Sequence, residues 1–132
     1  MDNNELLLTD LCGRLPYEVK IAVQSWDEEE QEYIDRVDVL YSINRDGYIK
    51  SANEDYEFSI EDIKPYLFPI SSLTDEQKEI YCQLQQKVIY NSKGIVTEDV
   101  MNYVNWCYEN HLDCRGLIQK GLAIDATNLN IY

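Results

Sequence analysis

The chain has 132 residues, of which 45% are hydrophobic, and its 25 acidic and 11 basic residues give a formal net charge of −14. A chain of this size buries roughly two thirds of its unfolded surface, so we expect one folded domain over residues 1 to 132. The negative field repels phosphates and anionic lipids, which argues against direct binding to nucleic acid or a membrane. Residues 1 to 62 carry 17 acids and five bases, so any function of the acidity belongs to the first half.

The cysteine content and the first residues predict a cytoplasmic protein. Four cysteines in the chain are too few for a disulfide scaffold and fit a reducing compartment. The opening sequence MDNNELLLTD has acids before its three leucines and no basic flank, unlike a secretory signal. Its apolar run is also too short to span a bilayer.

Residues 4 to 12 predict a short helix, because their leucines fall on one helical face. Asn3 or Asn4 is placed to cap its start, and Gly13 suits a left-handed position at its end. Residues 17 to 23 then alternate apolar and polar side chains, which is the period of a half-buried strand.

A hairpin tip is predicted at the acidic run WDEEEQE, residues 26 to 32, which cannot pack inward. The run RVDVLYSI follows as a second strand, with Val37, Val39, Tyr41 and Ile43 on one face.

A tight turn is predicted at Asp46 and Gly47, since both tolerate positive φ. The sequence YIKSA then returns as a third strand, and residues 55 to 59 suit a short fourth one. Such short connections favour a small, curled antiparallel sheet of three to five strands, with an SH3-like barrel as one form. This acidic part, with the preceding helix, extends to about residue 64.

The second part of the chain, about residues 74 to 121, predicts two to three helices, which makes the fold class α+β. Residues 65 to 72, PYLFPISS, are predicted to be an extended connector into this part. Thr74 and Gln77 form a capping box for a helix that runs to about residue 90 and ends at NSKG.

Thr97 is predicted to cap the next helix, and its first turn contains two acids that favour the helix dipole. Asp113 is predicted to cap a last short helix, CRGLIQK, which Gly121 closes. The tail from Leu122 predicts a short strand or a segment docked on the core.

The stretch WCYENHLDC contains the only histidine and two of the four cysteines, so it is the natural candidate for a metal or thiol site. Cys107 and His111 are four residues apart and share a helical face, and Cys114 follows one turn later. A structural zinc site needs a fourth ligand, and no second ligand pair exists in the sequence. The simpler interpretation is a core cysteine at a helix end, so we expect no metal and no cofactor.

Sequence signatures of other enzymes are missing: there is no phosphate-binding glycine loop, nucleophile elbow, HExxH motif or calcium loop. We therefore expect a protein that is not an enzyme. A small metal- or thiol-dependent enzyme using Cys107, His111 and Cys114 is the alternative, and a self-assembling structural component is a third. The sequence leaves the oligomeric state open.

The acidic hairpin is the main candidate for a binding surface. Exposed aromatic side chains anchor protein interfaces, and clustered carboxylates attract basic partners. The ordinary alternative is a solubilising loop that guards a sheet edge. The candidate binding residues are Trp26, Asp27, Glu28, Glu29, Glu30, Glu32 and Asp35.

Three segments carry a family resemblance: LLLTDLCGRLPYEVKIAV, SIEDIKPYLFPISSLTDEQ and HLDCRGLIQKGLAID. Together they resemble a group of small proteins without known activity that are encoded by bacteriophages, prophages and mobile elements of gut anaerobic bacteria. The resemblance implies an intracellular accessory role and no particular functional residues. We therefore predict a protein-binding accessory protein of that origin. Its sharper form is an inhibitor that mimics DNA and binds a basic, nucleic-acid-binding enzyme or defence protein of the host.

Overall fold

The computed structural model describes residues 2–89 and 97–132 and has the predicted α+β architecture, with an N-terminal helix, a sheet and two later helices. The described helices and strands are α1 (Asn3–Arg14), β1 (Lys20–Asp27), β2 (Glu32–Ile43), β3 (Ile49–Ser51), β4 (Glu57–Phe58), β5 (Lys64–Leu67), α2 (Asp75–Ile89), α3 (Thr97–Glu109) and β6 (Ile124–Asp125). The predicted end of the first of these later helices, at residue 90 with NSKG, lies outside the described residues.

The sheet is open and mixed, with the strand order β4-β3-β2-β1-β5-β6. The meander β1 to β4 is antiparallel as predicted, whereas β5 and β6 run parallel. The prediction of residues 65 to 72 as a connector was wrong, because β5 lies inside the sheet beside β1. Pro65 has no N–H to donate, but this costs no hydrogen bond between β5 and β1. It lies opposite Ile21, and the backbone groups of Ile21 bond to β2 instead.

The main core lies between α1 and the inner face of the sheet. Leu7 and Leu11 of α1 pack on Val19, Ile21 and Val23, all of them buried. Ile21 and Val23 of β1, with Val19 just before the strand, keep the predicted strand period. The strand itself begins at Lys20, three residues later than predicted, because residues 15–17 form a 3₁₀ turn.

The prediction for the second strand was partly wrong. Val37 and Tyr41 lie on the outer face and are 49% and 66% exposed, while Leu40 points into the core. The register of β2 against β3 shifts between Leu40 and Ser42. This β-bulge turns Ile43 to the inner face, opposite Ile49, so Ile43 does not share a face with Val37.

The ends of α1 differ from the prediction. Asp2, not an asparagine, caps the start: its carboxylate accepts from Glu5 N at 2.8 Å, and the Glu5 side chain accepts from Asp2 N in return. Gly13 does not end the helix, which continues to Arg14. The Cα atom of Gly13 lies against the ring of Tyr108, so a Cβ atom at this position would be 2.6 Å from the ring.

A smaller core cluster joins α2 to α3 through Tyr81, Tyr103 and Trp106. The capping box predicted for α2 is present, with Thr74 N bonded to Gln77 and Gln77 N bonded to Thr74.

Turns replace the third helix predicted at residues 114–120, although Asp113 does cap this segment by accepting from Leu117 N and Ile118 N. Gly116, with φ of +71°, interrupts any right-handed helix there. Gly121 has a φ of +74° but closes no helix, and the tail adds β6 to the sheet.

Candidate protein-binding surface

Strands β1 and β2 extend beyond the core as a hairpin arm, residues 24–37. Trp26 and Tyr33 face each other across the arm on its outer face, with ring centroids 5.2 Å apart at 72°. They are 49% and 66% exposed, although each side chain would stabilise the fold if it were buried. The arm therefore presents two adjacent aromatic anchors to solvent.

The tip of the arm holds the predicted acids, which divide into two groups. Asp27 has a structural role, because its Oδ1 accepts from Glu29 N at 2.9 Å and from Glu30 N at 3.3 Å, and its Oδ2 lies 3.8 Å from Arg36. The other acids of the tip are exposed, and among the described residues no cation lies within 4 Å of their carboxylates. They are Glu28, Glu29, Glu30 and Glu32.

An acidic groove runs along the outer face from the arm toward β5. It consists of two adjoining clefts of about 300 and 480 Å³, which share Gln24 and Asp62. Gln24 supports the floor: its side chain donates to Asp35 at 3.2 Å, and its carbonyl accepts from Tyr56 Oη at 3.1 Å. Its other charged and aromatic walls are formed by Tyr33, Asp35, Glu57, Glu61, Lys64 and Tyr66.

Two tyrosines of the groove are neutral hydrogen-bonding groups near neutral pH. Burial and the neighbouring Glu54 raise the pKa of Tyr56, and burial followed by Asp35 raises the pKa of Tyr66. Both phenols are therefore protonated, and the groove combines acceptors, donors and apolar ring faces. This is the mixture that suits a long basic side chain, whose stem is apolar and whose head is charged.

The sequence identified part of this surface. Trp26, the tip acids and Asp35 lie together on the arm, and Tyr56, like Trp26 and Tyr33, is an aromatic residue next to acids in the sequence, whereas Glu61 and Asp62 have no such signal. Tyr56 directly precedes β4, and Glu61 and Asp62 lie between β4 and β5; this part of the chain returns beside the end of β1, where Tyr56 Oη donates to Gln24 O. No local pattern signals that approach, because it depends on β5 pairing with β1.

Asp38, also in the acidic segment, has a structural role rather than a binding one. Its buried carboxylate accepts from Asn53 Nδ2 at 2.7 Å, Asn53 N at 3.0 Å and Val39 N at 2.8 Å. Burial raises the pKa of Asp38, but the neighbouring Ser51 hydroxyl and the hydrogen bonds from Asn53 and Val39 outweigh it and leave the pKa below the usual value. The carboxylate fixes the loop after β3.

The stretch WCYENHLDC brings its two thiols together and separates the histidine from them. Cys107 is fully buried, and its thiol donates to the sulfur of Cys114. That bond lowers the pKa of Cys114 to about 7, against the opposing effect of burial, while the bond and burial both raise the pKa of Cys107. His111 stacks instead on Tyr132, with ring centroids 3.8 Å apart.

His111 is a neutral imidazole near neutral pH and lies apart from the two thiols. Burial, followed by the charges of Arg14 and Lys20, lowers the pKa of His111 to about 4. In residues 2–89 and 97–132, no three His, Cys, Asp or Glu side chains form a group that could hold a metal ion. Cys114 is a half-buried thiol whose pKa is lowered to about 7, beside Cys107, whose pKa is raised.

A buried ionic network near these thiols was not predicted. Arg14 Nε lies 2.6 Å from Asp10, and Arg14 Nη2 donates to the Leu112 carbonyl at 2.7 Å. Arg115 binds Asp10 at 2.9 Å and Tyr108 Oη at 2.8 Å. The network ties α1 to the turns after α3; only the i, i+4 spacing of Asp10 and Arg14 hints at it.

Comparisons with protein-family models, curated proteins and solved structures found no match to this chain. Within the part of the chain that the structure describes, no helix has the length and apolar character needed to cross a bilayer.

Proposed function

We propose that this protein binds a basic protein partner through the outer surface of the hairpin arm and the acidic groove. The single observation that carries the proposal is the exposed pair of Trp26 and Tyr33, set among carboxylates on a projecting arm. Aromatic anchors supply contact area, and the surrounding charge selects a partner of opposite sign.

The charge distribution supports a basic partner. Residues 26 to 38 contain seven acids and one arginine, and the exposed tip carboxylates have no described cation within 4 Å. Such a field accelerates association with a positively charged surface and weakens as salt is added. The resemblance to phage and mobile-element proteins is the basis for proposing a host protein as this partner, with the protein acting as a non-enzymatic accessory factor or inhibitor.

A DNA-mimicking inhibitor is the narrower form of the proposal. It requires binding to depend mainly on the carboxylates, as binding of a phosphate backbone does. The aromatic pair and the presence of Lys64 in the groove favour a more ordinary interface, in which aromatic contact contributes as much as charge. The two forms differ in which variants abolish binding.

The test is a pull-down from the lysate of a bacterium that hosts such phages, followed by a measured affinity for the partner recovered. A charge variant, Glu28→Gln with Glu29→Gln and Glu30→Gln, is compared with a ring variant, Trp26→Ala with Tyr33→Ala. We expect each to weaken binding at least about tenfold, which is about 1.4 kcal/mol. The DNA-mimic form predicts that the charge variant has the larger effect and that the ring variant has little.

A matched control neutralises three exposed acids elsewhere, Glu76→Gln, Glu79→Gln and Glu109→Gln, and has the same net charge as the charge variant. We expect this control to bind within about twofold of wild type, because it leaves the local field of the arm intact. Equal losses of affinity in the control and in the charge variant would show that net charge, and not the position of the tip acids, controls binding. Recovery of no partner at low or moderate salt would contradict the proposal.

A further inference from the structure

One edge of β2 is unpaired over the outer part of the arm. Strand β2 has 12 residues, but β3 pairs only with its last part, from Leu40 to Ile43. On the other side, β1 pairs with β2 from Glu32 to Val39. The stretch Tyr33–Val37 is therefore bonded along one edge only.

The direction of the backbone groups on this stretch follows from two hydrogen bonds. Leu40 N donates to Val19 O at 3.0 Å, so Leu40 and every second residue before it direct their backbone toward β1. The Val39 carbonyl accepts from Ala52 N at 2.9 Å, on the opposite side. By the same alternation, the N–H and C=O groups of Tyr33, Asp35 and Val37 point away from β1.

No described residue bonds to these outward groups, and the side chains of Tyr33, Asp35 and Val37 are all exposed. Proteins usually protect such an edge with charged side chains, a proline, a bulge or a covering segment. Here the bulge lies further along, after Leu40, and the stretch contains no proline; its protection is the charge of Asp35 and Arg36, which selects among partners rather than blocking the edge. A cleft of about 350 Å³, lined by Arg36, Val37, Asp38 and Glu54 among others, lies beside the edge.

We propose that an extended segment of a basic partner adds as a strand to the edge Tyr33–Val37 of β2. This inference rests on the proposed function and specifies how the partner binds. The edge supplies three outward N–H groups and three carbonyls, and five residues extend over about 17 Å. A segment of about five residues would satisfy them, as in other interactions by strand addition.

The charge of the arm determines the occupant. Side chains of an added strand alternate between the outer face, beside Tyr33, Asp35 and Val37, and the side of the cleft, where Glu54 and Arg36 lie. A second copy of this chain would bring two arms together, each with seven acids and one arginine over residues 26 to 38, and repulsion opposes that pairing. A segment rich in lysine or arginine would instead be attracted to the acidic arm.

The test uses an acetylated and amidated synthetic peptide of alternating lysine and valine, seven residues long, and amide hydrogen exchange followed by NMR. In the free protein we expect fast exchange at Tyr33, Asp35 and Val37, and protection at Ile34 and Arg36, which bond to β1. Bound peptide should slow exchange at the first three at least about tenfold. This measurement needs no variant.

A proline substitution gives the second readout. Val37→Pro removes an N–H that points to solvent and leaves the bonds of β2 to β1 in place, whereas Val37→Thr keeps the N–H. We expect the proline variant to bind the peptide at least about tenfold more weakly than the threonine variant. An unchanged spectrum outside the arm confirms that each variant is folded.

The outcomes separate this inference from the proposed function. Binding without protection of the three outward amides, or equal affinity of Val37→Pro and Val37→Thr, overturns strand addition and leaves protein binding by the arm standing. Protection of the same amides by self-association, seen as a dimer in sedimentation without peptide, overturns the basic occupant. No binding of the peptide at low salt, together with no partner in the pull-down, overturns both.

Discussion

Gly13 allows close contact between α1 and Tyr108, and replacing it with alanine tests the packing of the two. A glycine inside a helix ordinarily lowers stability by about 1 kcal/mol relative to alanine. In this protein, the Cβ of Gly13→Ala would lie 2.6 to 2.7 Å from Cε2, Cζ and Oη of the Tyr108 ring. Replacing this glycine with alanine should therefore destabilise the protein, although the same change usually stabilises a helix.

The magnitude depends on how far the ring can move. Tyr108 is 6% exposed, its hydroxyl accepts from Arg115 at 2.8 Å, and the Arg14 guanidinium lies 5.0 Å from the ring centroid. Overpacking at such a site costs about 2 to 3 kcal/mol, and the gain in helix propensity offsets about 1. We expect Gly13→Ala to lower the free energy of unfolding by about 1 to 2 kcal/mol.

Urea denaturation measures this change, and a second background isolates its cause. Tyr108→Leu retains apolar volume but lacks the ring atoms that the new Cβ would meet. In that background Gly13→Ala should be neutral or stabilising by up to about 1 kcal/mol. If Gly13→Ala stabilises the protein that retains Tyr108, or destabilises both backgrounds equally, the argument from close contact is refuted.

Three further predictions concern the buried groups. Asp10→Ala leaves the fully buried Arg14 without its carboxylate, so we expect urea denaturation to show a loss of about 3 to 5 kcal/mol. Alkylation of Cys114 by iodoacetamide should increase with pH around a midpoint of about 7, and Cys107→Ala should move that midpoint upward because the thiolate loses its donor. His111 has its pKa lowered to about 4 from 6.5, so the unfolded state binds more protons between those values; stability should fall as the pH drops from 6.5 to 4, and less so in His111→Phe.

Controls follow from the same contacts. The alkylation assay requires Cys12→Ser and Cys82→Ser in every sample, because both of these thiols are exposed. A Cys114 midpoint near 9 would contradict the hydrogen bond with Cys107. A loss below about 1 kcal/mol for Asp10→Ala would contradict the buried pair, since exposed pairs contribute in that range. If the stability of His111→Phe depended on pH in the same way as that of the wild type, groups other than His111 would cause the loss of stability at low pH.

The sequence predicts elements whose signal is local. The leucine periodicity locates α1, the alternation of Val19, Ile21 and Val23 indicates the inner face of β1, and Thr74 with Gln77 marks the start of α2. Each of these signals lies within one or two turns or a few strand residues, where backbone geometry alone sets the spacing. Tertiary contact is not needed to recognise them.

The errors occur where tertiary contact overrides the local pattern. Val37 and Tyr41 suggested a single strand face, but the bulge after Leu40 ends the alternation. Pro65 suggested a connector, yet its missing N–H is tolerated because its neighbour across the ladder bonds elsewhere. Gly13 suggested a helix end, whereas its small size serves the Tyr108 ring. In each case the deciding partner is distant in sequence.

The candidate site divides in the same way. The tip acids and Trp26 belong to one hairpin and are evident from composition, while the groove needs Tyr56, Asp62 and Tyr66 brought beside β1 by later segments. The open edge of β2 is also invisible in sequence, because it depends on how short β3 is. The sequence thus indicates where the charge lies, but not the shape of the surface that presents it.

The buried contacts and the proposed binding surface lie in different parts of the protein, so binding can be tested without weakening the fold. The buried ion pairs of Asp10 with Arg14 and Arg115 lie at the C-terminal end of α1. The exposed acids and rings lie on a projecting hairpin. Exposed substitutions away from buried networks usually change stability by less than about 0.5 kcal/mol. Removing three like charges from the tip also relieves local repulsion. A loss of partner binding in the tip variant therefore reports the interface itself rather than a weakened fold.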